Sequence, residues 1–451
     1  MTTVSVVAVD MGSSNVRAVL GMWDGERLER REILRVSHRA IPKSPLAWDV
    51  ALLRKAAVSA LDIATDILGK APDGVAIDGW GVDCVFVDDD NSPLTPARCY
   101  RDAAGARGRA RLEALYSEVQ LYRETGVLPQ DINTCYQIAG DDVPRGTLMF
   151  LADHVARSLV SDSVAPWASA GVASTSSLVK ADGTWHTDLA KVIGLEANQL
   201  PELMPELSVV GYRGTTAVMR AGSHDTACAV HSLCDPQAQF ISCGSWAIAG
   251  ALTPRAVVTD AAWQAGVTNE AATNGKNRAQ INLTGLWVGQ ECRRAWKERG
   301  YNPTYAELDA LVGKVPIPEA LIDINAPELT TPGAMPEKVA LLARRVGVVV
   351  DKPEEIMRLL TESLAHAQAK AIRTLRNVTG TQARVYMVGG GTRDRLLVER
   401  TAHLLGEPVC VADPEASALG NIVAQLQTLG AEPAHIATWM KTSSVLHEIH
   451  Q

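Results

Sequence analysis

The chain has 451 residues, 47% hydrophobic and 21% charged, with a formal net charge of −8. That length supplies core for two or three domains, and the balance excludes a mostly disordered chain. The negative charge excludes a broad nucleic-acid surface, but not a phosphate compound held by backbone N–H groups.

In chain order, TVSVVAVDMGSSNVRAVLGMWDGERLER predicts strand, Gly/Ser turn, strand, Asp-Gly hairpin and a third strand. VSVVAV is too short and too β-branched for a helix. DVALLRKAAVSALDIATDILGK has helical spacing and stops at Gly69. GVAIDGWGVDCVFVDDDNSPLTP predicts strand, Gly-rich bend, strand and turn, and a helix is expected over RGRARLEALYSEVQLY. LMFLADHVARSLVS predicts a helix after a short strand, and ASTSSLV a polar β stretch. TTAVMRAGSHDTACAV predicts a strand entering a turn and a helix. FISCGSWAIAGALTP then echoes the strand-turn-strand shape of the N-terminus. Two such openings predict two similarly built domains. PEEIMRLLTESLAHAQAKAIRTLRN is the strongest helical pattern, with Pro353 in its first turn. ARVYMVGGG predicts a strand meeting the helix TRDRLLVERTAHLLG, which Gly406 ends. PVCVAD reads as a strand and PEASALGNIVAQLQTLG as a helix containing Gly420.

The eight cysteines form no CxxC pair, so free thiols in a reducing cytoplasm are expected. The N-terminus has no basic start or cleavable h-region, and no apolar run reaches about 18 residues. Neither a signal peptide nor a membrane span is expected.

Four stretches carry polar groups where chemistry could sit. In DMGSSNVRAV, Asp10 ends a strand and enters a turn of small hydroxylated residues. The stretch is either a polar β-turn or a phosphate cradle, with Asp10 holding Mg²⁺ through waters. VGGGTRD places three glycines between a strand and a helix. It is a structural connection or a place where nucleotide phosphates approach the backbone. In IDGWGVDCV, Asp78 and Asp83 bracket a Gly-Trp-Gly bend. Trp80 either fills the core or offers a flat face to a sugar. In AGSHDTACAV, His224 and Asp225 lie at a strand-to-helix turn. Asp225 is either a helix cap or a general base that takes an alcohol proton during phosphoryl transfer. No G-x-S-x-G elbow supports a hydrolase. Together these are the parts of a small-molecule kinase without a P-loop.

Their order resembles the FGGY family of carbohydrate kinases over almost the whole chain. The resemblance runs through VAVDMGSSNVRAV, WDV, IDGWGVD, CYRD, INTCYQ, SHDTACAV, SCGSWAI, VTNE, INLTGLWVGQ, VGGGTRDRLL and DPEASALGNI. It implies an α/β fold of two actin-like (ribonuclease H-like) domains, each with a mixed five-stranded sheet flanked by helices, and an active-site cleft between them. Residues 1–235 would mainly bind sugar and residues 236–451 mainly nucleotide. Asp225 is implied as catalytic base, with Gly81, His224, Thr226 and Asn282 also reaching the sugar. ATP contacts are implied for Ser13, Ser14, Asn15, Val16, Arg17, Ser245, Gln290 and Gly390, and Asp10 would position Mg²⁺. The implied reaction is ATP-dependent phosphorylation of an open-chain ketose at its primary hydroxyl. DGWGVD, VTNE…GLW and PEASALGN favour L-rhamnulose at O1, with L-fuculose or another ketose as the alternative. A non-catalytic sugar-binding regulator would be expected to lack Asp10 or Asp225. The implied partners are sugar and ATP, without nucleic acid or membrane, for a cytoplasmic monomer or homodimer. Two departures stand out: Ser245 where relatives usually carry Thr, and Asp394 where Asn is common.

Overall fold

The N-terminal apolar run forms β1 (Val4–Met11), buried at every position after Val4. A continuous apolar run, rather than an alternating one, suits a strand covered on both faces. β2 (Asn15–Trp23) and β3 (Leu28–Ser37) follow in antiparallel register. β4 (Gly74–Gly79) lies parallel on the other side of β1. β5 (Ser208–Arg213) and β6 (Thr216–Arg220) complete a six-stranded mixed sheet in the order β3-β2-β1-β4-β6-β5. The computed structural model describes residues 3–443 and 447–449.

The helix Val50–Leu68 packs Leu53, Ala57, Ala60 and Ala64 with Val7, Val9, Val16 and Leu20 of this sheet. Its buried positions recur at three and four, and Asp49 caps its start by accepting from Leu52 N–H at 3.0 Å. The helix Ala416–Thr428 contributes Ala424 to a second cluster with Ala76, Ala217 and Met219.

The chain forms two compact units. The first holds the chain up to Pro236, Leu252–Ala279 and the segment from Glu415. The second holds Gln237–Ala251, Gln280–Pro414 and a short C-terminal strand. In the second sheet, most of which belongs to that second unit, β7 (Gln239–Cys243) turns back antiparallel into β8 (Trp246–Thr253). β9 (Asn277–Thr284) lies beside β8. β10 (Val385–Val388) runs parallel to β7, and β11 (Val409–Val411) parallel to β10. β12 (His447–Ile449) closes the edge antiparallel to β11. The helix Pro353–Thr379 belongs to this unit and buries Leu359, Ile372 and Leu375.

The fold is thus α/β with mixed sheets, and both sheets exceed the expected five strands. In each, an antiparallel edge strand, β5 or β12, extends the mixed core. Two local expectations are corrected. RGRARLEALYSEVQLY is two helices, Ala104–Glu113 and Glu118–Thr125, because Ser117 caps the second by accepting from Gln120 N–H at 3.2 Å. ASTSSLV is no strand: Ala170–Ala173 and Ser174–Ser176 form helical turns. The hydroxyls of Ser174, Thr175 and Ser176 bond back to carbonyls three residues earlier, which closes the turns. Among the described residues no helix is long and apolar enough to cross a membrane. All eight cysteines are free thiols.

Candidate active site

In parallel sheets, ligand sites gather beyond the carboxyl ends of the strands. The register of the first sheet places Asp10 of β1 opposite Asp78 of β4, and opposite Arg17 of β2. Two carboxylates and one guanidinium therefore share one sheet end. Arg17 donates to Asp10 at 2.5 Å and also pairs with Glu415. Asp78 is fully buried and accepts from Asn421 Nδ2 at 2.6 Å. Its other oxygen has no protein partner. Burial, then the Asp10 charge, raises the Asp78 pKa well above the ordinary carboxylate range. Asp78 is thus a natural proton holder at this sheet end.

The SHDT stretch joins the same sheet end. Gly79 N–H donates to Ser223 O at 3.2 Å, and Gly79 bridges His224 in parallel register. His224, not Asp225, occupies the N-cap of the helix Asp225–His231. Asp225 opens the first turn, where one carboxylate oxygen accepts from Thr226 N–H at 2.6 Å and its hydroxyl at 3.1 Å. The side chain keeps 30% of its surface open. Burial and the Asp10 charge push its pKa up to about 7 against those two hydrogen bonds. A recessed carboxylate with a free oxygen edge and a near-neutral pKa can exchange a proton with a bound alcohol.

The preceding loop is held by Glu206, which accepts from Gly171 N–H at 2.9 Å, Gly222 N–H at 3.0 Å and Ser223 Oγ at 3.3 Å. Burial, then Asp153, pushes its pKa up to about 7 from an ordinary 4.5. Because Glu206 and Asp225 bind protons more tightly folded than unfolded, they favour the fold at low pH and lose that contribution as pH rises through about 7. Buried histidines oppose this: His154 is lowered to about 4 by burial, and His224 and His231 are also lowered. They favour the fold as pH rises, but only up to the ordinary histidine value of 6.5. Above it the carboxyls act alone. The urea midpoint of the ligand-free protein is expected to fall between about pH 6.5 and pH 8. A midpoint that climbs over that interval would contradict these assignments.

The Gly-Trp-Gly bend divides its two acids. Asp83 is buried, and one of its oxygens accepts from Trp48 Nε1 at 2.5 Å and Trp80 Nε1 at 2.8 Å. Its other oxygen accepts from Gln137 at 3.2 Å. Asp83 therefore fixes two indoles. Trp80 packs against Trp48, with ring centroids 4.5 Å apart, and stacks on His38 at 5.9 Å, leaving it half-buried. Gly81 is buried, and the next N–H, on Val82, donates to Thr175 Oγ1 at 2.9 Å.

The predicted nucleotide residues fall in both units. In the first, Gly12 N–H closes the turn on Asn15 O at 2.9 Å. Ser13 and Asn15 are half-buried and Ser14 is exposed. The Val16 side chain is fully buried in the core, so only its backbone can face a ligand. In the second unit, the parallel pairing of β7 with β10 brings their end turns together. A Cβ on Gly391 would lie 2.3 Å from Cys243 Sγ, so only glycine lets the VGGG turn sit on the end of β7. Gly390 lies open in that turn, with nothing near a would-be Cβ. Ser245 is exposed, and its hydroxyl donates to Gln290 at 3.2 Å. Asn282 is exposed on β9. Asp394 has a structural account, since it caps the helix Arg395–Leu405 by accepting from Leu397 N–H at 3.0 Å.

Mg²⁺ takes one or two carboxylates and keeps several waters. Asp10 fits that role, and among the described residues no three His, Cys, Asp or Glu side chains form a metal cage. The donor set therefore suits a hydrated ion held through water.

Sequence reasoning gave no role to Arg278, Glu206 or Glu270, although Glu270 ends the VTNE stretch. The available signal was a lone Arg within NRAQINL, a stretch otherwise suited to a covered strand.

Comparison with known proteins bears on the family and the fold. The N-terminal domain model of the FGGY family of carbohydrate kinases matches residues 5–241, and its C-terminal domain model residues 240–429. A rhamnulokinase of Enterococcus faecalis is 29% identical over 94% of this chain and 89% of its own. A rhamnulokinase of Mannheimia succiniciproducens is 29% identical over 95% of this chain and 91% of its own. Among solved structures, a ligand-bound xylulose kinase from Lactobacillus acidophilus superposes with a TM-score of 0.80 at 13% identity, covering 99% of this chain and 92% of its own. A Plasmodium falciparum glycerol kinase with ADP gives 0.78 at 12% identity, covering 98% and 93%. These structures share the two-domain actin-like fold. The chain belongs to the FGGY family of carbohydrate kinases.

Proposed function

We propose that the protein transfers the γ-phosphoryl group of ATP to the 1-hydroxyl of L-rhamnulose, giving L-rhamnulose 1-phosphate and ADP in cytoplasmic L-rhamnose catabolism. The observation that carries the reading is Asp225: a recessed carboxylate with a pKa of about 7, held at a helix start beside the strand ends of Asp10 and Asp78. The rhamnulokinase relatives, aligned over nearly the full chain, support the choice of sugar.

Asp225 accepts the proton of O1 as O1 attacks the γ-phosphorus, and the bond to the bridging oxygen breaks with ADP as leaving group. Thr226 holds the Asp225 carboxylate through its N–H and hydroxyl. Gly81, His224, Thr226 and Asn282 bind and orient the sugar. Ser13, Ser14, Asn15, the Val16 backbone, Arg17, Ser245, Gln290 and Gly390 are the proposed nucleotide contacts. When bound, Mg²⁺ neutralises charge on the β- and γ-phosphoryl oxygens, and Asp10 would hold it through water. In this reading residues 1–235 serve mainly sugar and residues 236–451 mainly nucleotide, with the turn at residues 13–17 as a nucleotide contact of the first segment.

Steady-state turnover with ATP on L-rhamnulose, L-fuculose, L-ribulose and D-xylulose tests the substrate. L-Rhamnulose is expected to give the highest kcat/KM. A higher value for any other ketose would replace it as substrate. The base must be deprotonated, so kcat/KM is expected to rise with pH through about 7. A rate independent of pH across that range would contradict Asp225 as the base.

A further inference from the structure

Arg278 is fully buried, an expensive place for a charge that no surface requirement explains. Its neighbours define its use. One guanidinium nitrogen, Nη2, donates both to Glu270 Oε2 at 2.8 Å and to His224 Nδ1 at 3.1 Å. Nε donates to Ala271 O at 3.2 Å. A guanidinium only donates, so Nδ1 of His224 must accept. The competing bond, from a protonated Nδ1 to Glu270, would span 3.9 Å and does not form. The imidazole then carries its hydrogen on Nε2, which lies 3.8 Å from Asp225 Oδ1. That gap is too long for a direct hydrogen bond. It allows both groups to reach a bound molecule, His224 as donor and Asp225 as acceptor.

We infer that Arg278 is a positioning residue that locks His224 as the neutral Nε2–H tautomer, so that His224 serves the sugar only as a hydrogen-bond donor beside the base. The sugar it selects then presents an accepting oxygen, such as a ketone, on the carbon next to the reacting hydroxyl. This deepens the ketose reading and rests on it. Burial and the Arg278 charge both disfavour the imidazolium, which leaves the donor role undisturbed near neutral pH. Glu270 balances Arg278, so the three side chains form one unit: Glu270 compensates the charge, Arg278 sets the tautomer, His224 meets the sugar.

The test is a two-bond proton–nitrogen correlation spectrum of the ligand-free protein with isotope-labelled histidine, the His224 signal being assigned by its loss in His224→Gln. A single species is expected, with Nδ1 unprotonated and Nε2 protonated throughout the neutral range. A protonated Nδ1, an imidazolium, or a tautomer mixture would overturn the inference. This readout needs no sugar, so it stands or falls apart from the identity of the substrate. Kinetics supply the second arm. Arg278→Met paired with Glu270→Gln removes both charges together, which avoids leaving one buried alone. The double variant is expected to show a tautomer mixture. Its kcat/KM for the sugar should fall roughly ten- to hundredfold while KM for ATP stays unchanged. Arg278→Lys, which keeps a donor, should recover part of that loss. A folded double variant with an unchanged His224 spectrum and unchanged sugar kinetics would overturn the positioning role.

Discussion

Asp225→Asn is expected to lower kcat by about 10²–10⁴-fold while leaving KM for the sugar nearly unchanged. The amide keeps the size of the carboxylate and still offers an oxygen to Thr226 N–H and hydroxyl, so the turn should persist. What it loses is the ability to take a proton. Stability should move the other way. Burial, then the Asp10 charge, raises the Asp225 pKa, so a charged Asp225 is a cost to the fold near and above pH 7. Removing it should leave the urea midpoint equal or higher, a common relation at sites shaped for activity. Folded Asp225→Asn protein with near-normal turnover would contradict the base assignment.

Gly420→Ala is expected to damage stability and activity together. The helix Ala416–Thr428 crosses the helix Asp225–His231 so closely that a Cβ on Gly420 would lie 1.7 Å from Cys228 O. The obstacle is backbone, so no side chain can swing aside. Alanine gains about 1 kcal/mol in helix propensity over glycine. The overlap should cost about 3 kcal/mol or more, so the loss wins. The same helix carries Asn421, which holds Asp78 at 2.6 Å, and Gln425, which donates to Val7 O at 2.9 Å. Displacing it shifts both the base-bearing helix and the acid of β4. A lower urea midpoint with a reduced kcat/KM is expected; wild-type values for both would show that the contact relaxes without consequence.

Strand ends and helix stops were legible where a single local cause decides them. Gly69 and Gly406 stop their helices in the left-handed conformation, at φ 66 and φ 75. VSVVAV is too short and too β-branched for anything but a strand. Ser117 was readable as a cap in principle, but the apolar period runs straight through it and hides the break. The site was partly legible: Asp10 and the SHDT turn lie on one sheet end because β1 and β4 share register and Gly79 bridges His224. The role of Asp83 was not, because its partners Trp48 and Gln137 lie 35 and 54 residues away. Arg278 was hidden for the same reason. Its meaning depends on His224, 54 residues distant, and no local pattern reveals which nitrogen it meets.

The proposed reaction is phosphoryl transfer from ATP to O1 of a ketose. The most direct measurement is phosphorus NMR of the product formed from L-rhamnulose, with ADP release followed in the same sample. One new phosphomonoester is expected, coupled to the protons of the first carbon and formed in equal amount with ADP. Phosphate on another carbon, or ADP release without any phosphomonoester, would contradict the claim.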